Sequence, residues 1–318
     1  MKELTIGIDI GGTNTVIGII DNKGTVFFKT SITTNTHNNI NDFILDIYNT
    51  IESGKKSLKI DFNIIGIGIG APNANYYKGT IENAANLKWK GVINFISLLK
   101  THYKDIPIFI TNDANAAAIG EMIYGGAKGM KDFVVITLGT GLGSGIVTNG
   151  KLLYGSDGFA GELGHIIVKK DGRECNCGRK GCLETYASAT GMVRTAFEIM
   201  SYSNKKSSLR EISFNKLTSK MIFDALQNND PIAIDTFSKT SKIIGEALAD
   251  YVAIASPEAI FLFGGLANAG DLLFDKIKLY MEKNMLSIFS NKVKILPSKL
   301  GEDAAILGAS ALVWAELI

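Results

Sequence analysis

The stretch Asn112-Asp113-Ala-Asn115-Ala-Ala-Ala-Ile-Gly120-Glu121 puts a carboxylate where a ligand can reach it. It follows a short apolar run, Pro107-Ile-Phe-Ile-Thr111, with the length of a buried strand, and it leads into a helical pattern. In α/β proteins the carboxyl ends of strands open toward ligands, so a carboxylate there can act as a general base. Asp is equally a favoured N-cap, and Asp113 can cap the helix that begins at Ala114; the two roles are compatible. Two Gly-rich loops flank this position in sequence. In Asp9-Ile-Gly11-Gly12-Thr13-Asn14 an acid is followed by two residues without side chains and then a hydroxyl. The glycines let backbone N–H groups approach phosphate oxygens, and Asp9 can hold the water shell of a metal. The run Gly139-Thr140-Gly141-Leu-Gly143-Ser-Gly145 is a second such loop, and Gly264-Gly265 after a third strand leaves room for a flat base or a ribose. A Gly pair by itself often makes only a tight turn; two such loops together make a two-jawed phosphate cradle. Neither loop has the Gly-Lys-Ser/Thr ending of a P-loop. A dinucleotide fold is equally unsupported, because the second loop has the wrong spacing and runs into another strand instead of a helix.

A fourth cluster joins Gly161-Glu162-Leu-Gly-His165 to Cys175-Asn-Cys177-Gly-Arg-Lys-Gly181-Cys182-Leu-Glu184. One imidazole and three thiols, spaced His-x9-Cys-x-Cys-x4-Cys, form a complete tetrahedral set for a structural zinc and use every cysteine of the chain. An unmetallated loop or a redox thiol pair is the competing reading. Zinc would order a segment too polar to fold on its own, and it would fix Glu162 and Glu184 beside His165. A metal-bound imidazole keeps its other nitrogen for a ligand.

These groups need a scaffold. Apolar runs at 4–8, 16–20, 64–70, 107–111, 133–138, 146–148, 259–263 and 293–296 predict strands. Helical patterns fall near 40–51, 92–103, 114–121, 185–200, 219–227, 231–256, 272–285 and 303–317. Strands and helices alternate, so the sheet should be at least partly parallel. Residues 133–150 echo the opening hairpin: at an offset of 128, Gly11 falls on Gly139, Ile19 on Val147 and Asp21 on Asn149. A duplicated strand-loop-strand unit implies two similar halves around a cleft. The expected division is 1–117 plus the apolar C-terminal helix 301–318 against 118–300, the last helix packing back on the first domain because it has almost no polar face.

At 318 residues, 46% hydrophobic and 20% charged, the chain can build two cores. A net charge of +2, with no run of like charges, leaves no footprint for nucleic acid or an anionic membrane, so the partner should be small. The N-terminus enters a strand pattern at once and no uninterrupted apolar stretch is long enough to span a bilayer. The expected location is the cytoplasm, without nucleic-acid or membrane partners, and a homodimer is expected.

Asp9-Ile-Gly-Gly-Thr13, Asn112-Asp113-Ala-Asn-Ala, Leu138-Gly-Thr-Gly-Leu-Gly-Ser-Gly145, Gly161-Glu-Leu-Gly-His165 and Cys175-x-Cys-Gly-x-x-Gly-Cys-x-Glu184 together resemble the ROK family of bacterial sugar kinases and related repressors. The resemblance runs from residue 5 to about 310 in the family's order, and the Cys-containing motif is its most specific part. It implies an actin-like ATPase (ribonuclease H-like) fold of two domains, ATP and Mg²⁺, a structural Zn²⁺, and phosphorylation of a hexose. By matching positions Asp113 is the base, while Asn112, Glu162, His165 and Glu184 hold sugar hydroxyls. Gly70-Ala-Pro-Asn73 and Asn86-Leu-x-Trp89 look most like the glucokinase branch and add Asn73 and Asn86 to the sugar side. The His-to-Cys spacer, with Lys169-Lys-Asp-Gly-Arg173, is short, which changes loop length and not ligand count. The leading expectation is phosphoryl transfer from ATP to the 6-hydroxyl of glucose, with an N-acetylmannosamine, N-acetylglucosamine or other hexose kinase as the alternative. A sugar-responsive repressor fits less well, because the chain starts directly in the first loop's strand, and a non-catalytic sugar binder leaves Asp113 and both loops without a task.

Overall fold

The computed structural model describes residues 1–317. The chain opens with β1 (Lys2–Ile10), β2 (Asn14–Asp21) and β3 (Val26–Thr33), then α1 (Ile40–Ser57) and β4 (Phe62–Gly70). Three short strands follow, β5 (Ala74–Asn75), β6 (Thr80–Glu82) and β7 (Val92–Ile93), then α2 (Phe95–Lys100), β8 (Ile108–Thr111) and α3 (Asp113–Ile123). Next come β9 (Phe133–Leu138), β10 (Leu142–Thr148) and β11 (Lys151–Leu152), then α4 (Glu184–Ala187), α5 (Ala189–Tyr202), α6 (Ser219–Gln227) and α7 (Pro231–Ala255). The chain closes with β12 (Ala259–Phe263), α8 (Asp271–Asn284), β13 (Lys294–Pro297) and α9 (Ala304–Leu317).

Two units result: residues 1–130 with 145–161 and 298–317, and residues 131–144 with 162–297. The division expected at 117 differs, because it would cut α3 in the middle of its packing against α9; α3 stays whole in the first unit. The first sheet runs β3-β2-β1-β4-β8, with β1, β4 and β8 parallel. The second runs β11-β10-β9-β12-β13, with β9, β12 and β13 parallel. The echo at offset 128 is thus an echo of strand order.

The first core is built from strand residues such as Leu4, Ile6, Ile8, Ile67 and Ile69 and from α1 through Phe43, Ile47 and Ile51. Unpolar on all sides, α9 is covered accordingly, by α3 and by β1 and β4. It lies so close that a Cβ on Gly68 would overlap the Ala309 carbonyl. Thr5 and Ser310 pair their hydroxyls at 2.7 Å in this contact, which removes the cost of burying either.

Caps explain where helices differ from the pattern. Val92 and Ile93, both β-branched, pair with β6 as a strand, so the helix expected from 92 begins only at Phe95. The helix expected over 185–200 is broken at Ser188, whose Oγ accepts the Gly191 N–H at 3.1 Å and starts α5 afresh. The long α7 has the expected start: Asp230 Oδ1 accepts the N–H groups of Ile232 and Ala233 at 2.9 and 3.2 Å, with Pro231 at the first position. Among the described residues no helix is long and apolar enough to cross a membrane.

Candidate active site

Register gathers the acids of the first unit. Asp9 on β1 pairs with Gly70 on β4, and Gly70 pairs with Thr111 on β8, so the carboxyl ends of three parallel strands finish in one row. A Cβ on Gly70 would lie 3.7 Å from Asp9 Oδ1 and 4.0 Å from Asp113 Cα, so Gly70 separates the two acids by little more than its own backbone. The N-cap of α3 is Asn112, whose Oδ1 accepts the Asn115 N–H at 2.6 Å. Asp113 is therefore not the cap. It occupies the first helical position, and its Oδ1 accepts the adjacent Ala114 N–H at 2.8 Å. Burial pushes the Asp113 carboxyl above the usual carboxylate range, against the lowering effect of that N–H. Burial first, and then the negative charge of Asp113, push Asp9 up to about 6. Two carboxyls side by side, Asp9 half-buried and Asp113 open to solvent, can hold a cation or accept a proton.

The first Gly loop turns on a Gly11 N–H bond to the Asn14 carbonyl at 3.0 Å, and Thr13 and Asn14 stand exposed beyond it. A Cβ on Gly12 would come 2.7 Å from the Asn86 carbonyl oxygen, which places Asn86 against this loop. Asn73 lies in the left-handed region, φ 51°, and donates its amide to the Glu82 carbonyl at 3.1 Å, tying the β4–β6 connection together.

In the second unit the other Gly loop is braced from below. Gly139 donates its N–H to the Gly141 carbonyl at 3.0 Å and its own carbonyl accepts Ala189 N–H at 2.9 Å, while the Thr190 hydroxyl donates to the Thr140 carbonyl at 2.8 Å. The loop thus rests on the N-terminus of α5. Gly143 N–H is taken by Thr137 Oγ1 at 3.1 Å. Glu184, at the head of α4, reaches the same loop: its Oε2 lies 3.4 Å from Leu142 N, and a Cβ on Gly141 would be 2.7 Å from that oxygen. Gly264 has φ 99° and lies against the Leu138 carbonyl, and Gly265 opens into a cavity of about 470 Å³ walled by Leu266, Asn268, Ser219, Phe223 and Phe237. A cavity of that size, with apolar walls at Phe223, Phe237 and Leu266 and polar ones at Ser219, Lys220, Asp224 and Asn268, suits a flat base. Its α6 and α7 walls had no signal in sequence, since they lie in ordinary amphipathic helices.

His165, Cys175, Cys177 and Cys182 bring their ligand atoms within 4.8 Å of one another. A tetrahedral zinc with Zn–S of ~2.3 Å and Zn–N of ~2.0 Å sets S···S near ~3.8 Å and S···N near ~3.6 Å. The Cys177–Cys182 sulfurs stand 3.6 Å apart, and Cys175 Sγ is 3.7 Å from His165 Nδ1. The donor set fits zinc in number, type and spacing. His165 turns Nδ1 to the thiols and Nε2 to Glu162, 4.0 Å away, while Glu184 Oε1 lies 3.9 Å from Nδ1 and 3.0 Å from Cys175 Sγ. Glu162, His165 and Glu184 are therefore neighbours, as their spacing about the cysteines suggests.

The ROK family model matches residues 5–316. The glucokinase of Halalkalibacterium halodurans is 37% identical over 316 residues, covering 97% of this chain and 94% of the relative. That of Thermotoga maritima is 34% identical, covering 98% of each. The crystal structure of a ROK family glucokinase from Streptomyces griseus in complex with glucose and AMPPNP superposes with a TM-score of 0.79 at 32% identity, over 97% of this chain and 98% of that one.

Proposed function

The chain belongs to the ROK family and has the actin-like ATPase fold of its sugar kinases, and we propose that it is an ATP-dependent glucokinase transferring the γ-phosphoryl group to the 6-hydroxyl of glucose. The observation that carries the chemistry is Asp113: a solvent-reachable carboxylate just after β8, freed from capping by Asn112 and raised above the ordinary carboxylate range by the protein atoms packed around it. A carboxylate with a raised pKa accepts a proton better than an ordinary Asp, and it takes the hydroxyl proton as the oxygen attacks the γ-phosphorus in line. Glucose as the acceptor is supported by the two glucokinase relatives and by the glucose-bound neighbour.

The remaining roles follow from local chemistry. Backbone N–H groups of Gly11 to Asn14 and of Gly139 to Gly143 take the phosphates, and the cavity beside Gly265 takes the base. Asp9 would hold magnesium, which neutralises phosphate charge as it is transferred. Glu162, His165 through Nε2, and Glu184 orient sugar hydroxyls, with the Nδ2 of Asn112 as a further donor. Asn73 and Asn86 belong to the sugar side by their resemblance to the glucokinase branch; Asn86 also borders the first loop, and Asn73 fixes its own turn. Zinc on His165, Cys175, Cys177 and Cys182 would hold the imidazole in place. A coupled ADP-release assay with glucose, mannose, fructose, N-acetylglucosamine and N-acetylmannosamine tests the reading. Highest kcat/KM on glucose is expected; preference for an N-acetylated sugar would replace the substrate, and no ADP release with any sugar would end the kinase reading.

A further inference from the structure

We propose that Arg173 is a positioning residue for sugar binding: its guanidinium locks the cysteine loop to the α4–α5 junction and so fixes the Glu184 carboxylate. The proposal rests on the reading of Glu184 as a sugar-facing group. Arg173 lies in the spacer between His165 and Cys175, where the sequence suggests only a difference of loop length. Its side chain is 6% exposed. An arginine buried to that degree needs its donors satisfied, and here four of them are. Nε donates to Glu198 at 2.7 Å, Nη1 to the carbonyls of Thr185 and Gly191 at 2.5 and 3.0 Å, and Nη2 to Thr195 Oγ1 at 2.9 Å. The guanidinium also stacks over Tyr186, 4.4 Å from its centroid, and the Tyr186 hydroxyl accepts the Arg173 backbone N–H at 3.0 Å.

The carbonyls explain why an arginine is needed. The chain breaks at Ser188 between two helices, and the Ala189 N–H that would have bonded Thr185 in a continuous helix is spent on Gly139. Arg173 supplies the missing donor to Thr185 and bonds Gly191 with the same nitrogen. Thr185 follows Glu184 directly, and two residues beyond Arg173 the Cys175 sulfur lies 3.0 Å from Glu184 Oε1. One side chain thus ties the ligand loop and the helix head that carries the carboxylate. A lysine, with a point charge and no planar fork, cannot reach these acceptors together. Misplacing a substrate-binding group by about 1 Å is enough to weaken binding markedly.

The test is Arg173→Lys in the metal-loaded full chain, measuring KM for glucose, KM for ATP, kcat, and the visible spectrum of the Co²⁺-substituted protein. We expect glucose KM to rise at least ~10-fold with ATP KM within ~2-fold and kcat within ~3-fold, and the cobalt bands to shift at unchanged metal stoichiometry. Unchanged glucose KM with unchanged cobalt bands overturns the proposal, and so does an equal rise in both KM values, which is general loosening. If Arg173→Lys fails to fold, Thr195→Val removes a single acceptor while keeping the Glu198 pair, and the same split is read at a ~3-fold rise. A wild-type protein that phosphorylates no sugar would sink the kinase reading alone; the cobalt spectrum of the variant then supports the anchor if altered and overturns it if not.

Discussion

The two sheets share one strand order, yet the residues that end their equivalent first strands differ in kind. Asp9 is the penultimate residue of β1; the matching position at offset 128, penultimate on β9, is Thr137. The Thr137 hydroxyl accepts the N–H of Gly143, so it braces the second loop from within. Asp9 instead carries a half-buried carboxyl beside Asp113 and is pushed up to about 6. A duplicated scaffold can thus present backbone N–H groups twice, while a single side chain decides which copy handles cations and protons. The second loop takes its special character from elsewhere, through Glu184, which accepts from Leu142 N with one carboxylate oxygen and from the Cys175 thiol with the other.

The strongest way to break this contrast is Asp113→Asn. If proton chemistry belongs to the first unit alone, turnover should fall by ~10² to 10⁴, the usual contribution of a positioned general base. Because Asn112 is the cap, melting temperature at pH 7 should hold or rise, and glucose affinity should stay within a few-fold. Normal turnover in a folded variant would falsify the base assignment. Cys177→Ser probes the other side with a smaller effect: metal content by elemental analysis should drop, and glucose KM should rise ~10- to 100-fold, because the metal that orders the loop carrying His165 is lost. Full metal retention with native glucose KM would detach the cluster from the sugar.

Much of this contrast is legible in sequence, and what is not has physical causes. Apolar runs such as Ala259–Phe263 and capped helices such as α7 state their own limits, because the signals that fix them lie within a few residues. The Cys/His set is legible because metal ligands must be of few types at few spacings. The sheet of β5, β6 and β7 is not, since two- and three-residue strands are held by partners outside any window of periodicity. The unit boundary is equally hidden, because α3 belongs with α9, nearly two hundred residues on. Arg173 looks like a solvated loop residue until its acceptors, two of them backbone carbonyls, are seen.

A matched pair of glycine substitutions sharpens the comparison at lower amplitude. On Gly12 a Cβ meets the backbone carbonyl of Asn86, which can yield only by moving the loop; on Gly141 it meets a carboxylate oxygen at the end of the Glu184 side chain, which can swing away. Gly12→Ala should therefore raise ATP KM and lower the melting temperature by a few degrees. Gly141→Ala should leave stability near normal and raise glucose KM ~3- to 10-fold by displacing Glu184. Steady-state kinetics with each substrate varied, plus thermal melts, reads both; reversed patterns would mean that the loops have been assigned the wrong neighbours.

The smallest effect lies in the titration of Asp9 in magnesium-free protein. Its folded-state pKa, about 6, exceeds the ordinary 3.8, so the folded chain binds this proton more tightly than the unfolded chain does. The resulting stability is fully present below ~4 and is lost as pH rises through ~6, with an upper size of roughly 3 kcal/mol from two pKa units. Asp113, also raised, contributes with the same sign. In Asp113→Asn the neighbouring charge is gone, so Asp9 should titrate at lower pH, and the fall in melting temperature between pH 4 and 7 should be shallower and centred further toward acid. Burial, the larger cause, remains, so Asp9 should stop short of 3.8. Carboxyl ¹³C shifts of Asp9 followed by NMR report its midpoint directly in both proteins. A midpoint unmoved by the substitution would show that the two acids do not sense each other, and Asp9 would then owe its high pKa to burial alone; the first unit would hold two independent carboxyls in place of a coupled pair.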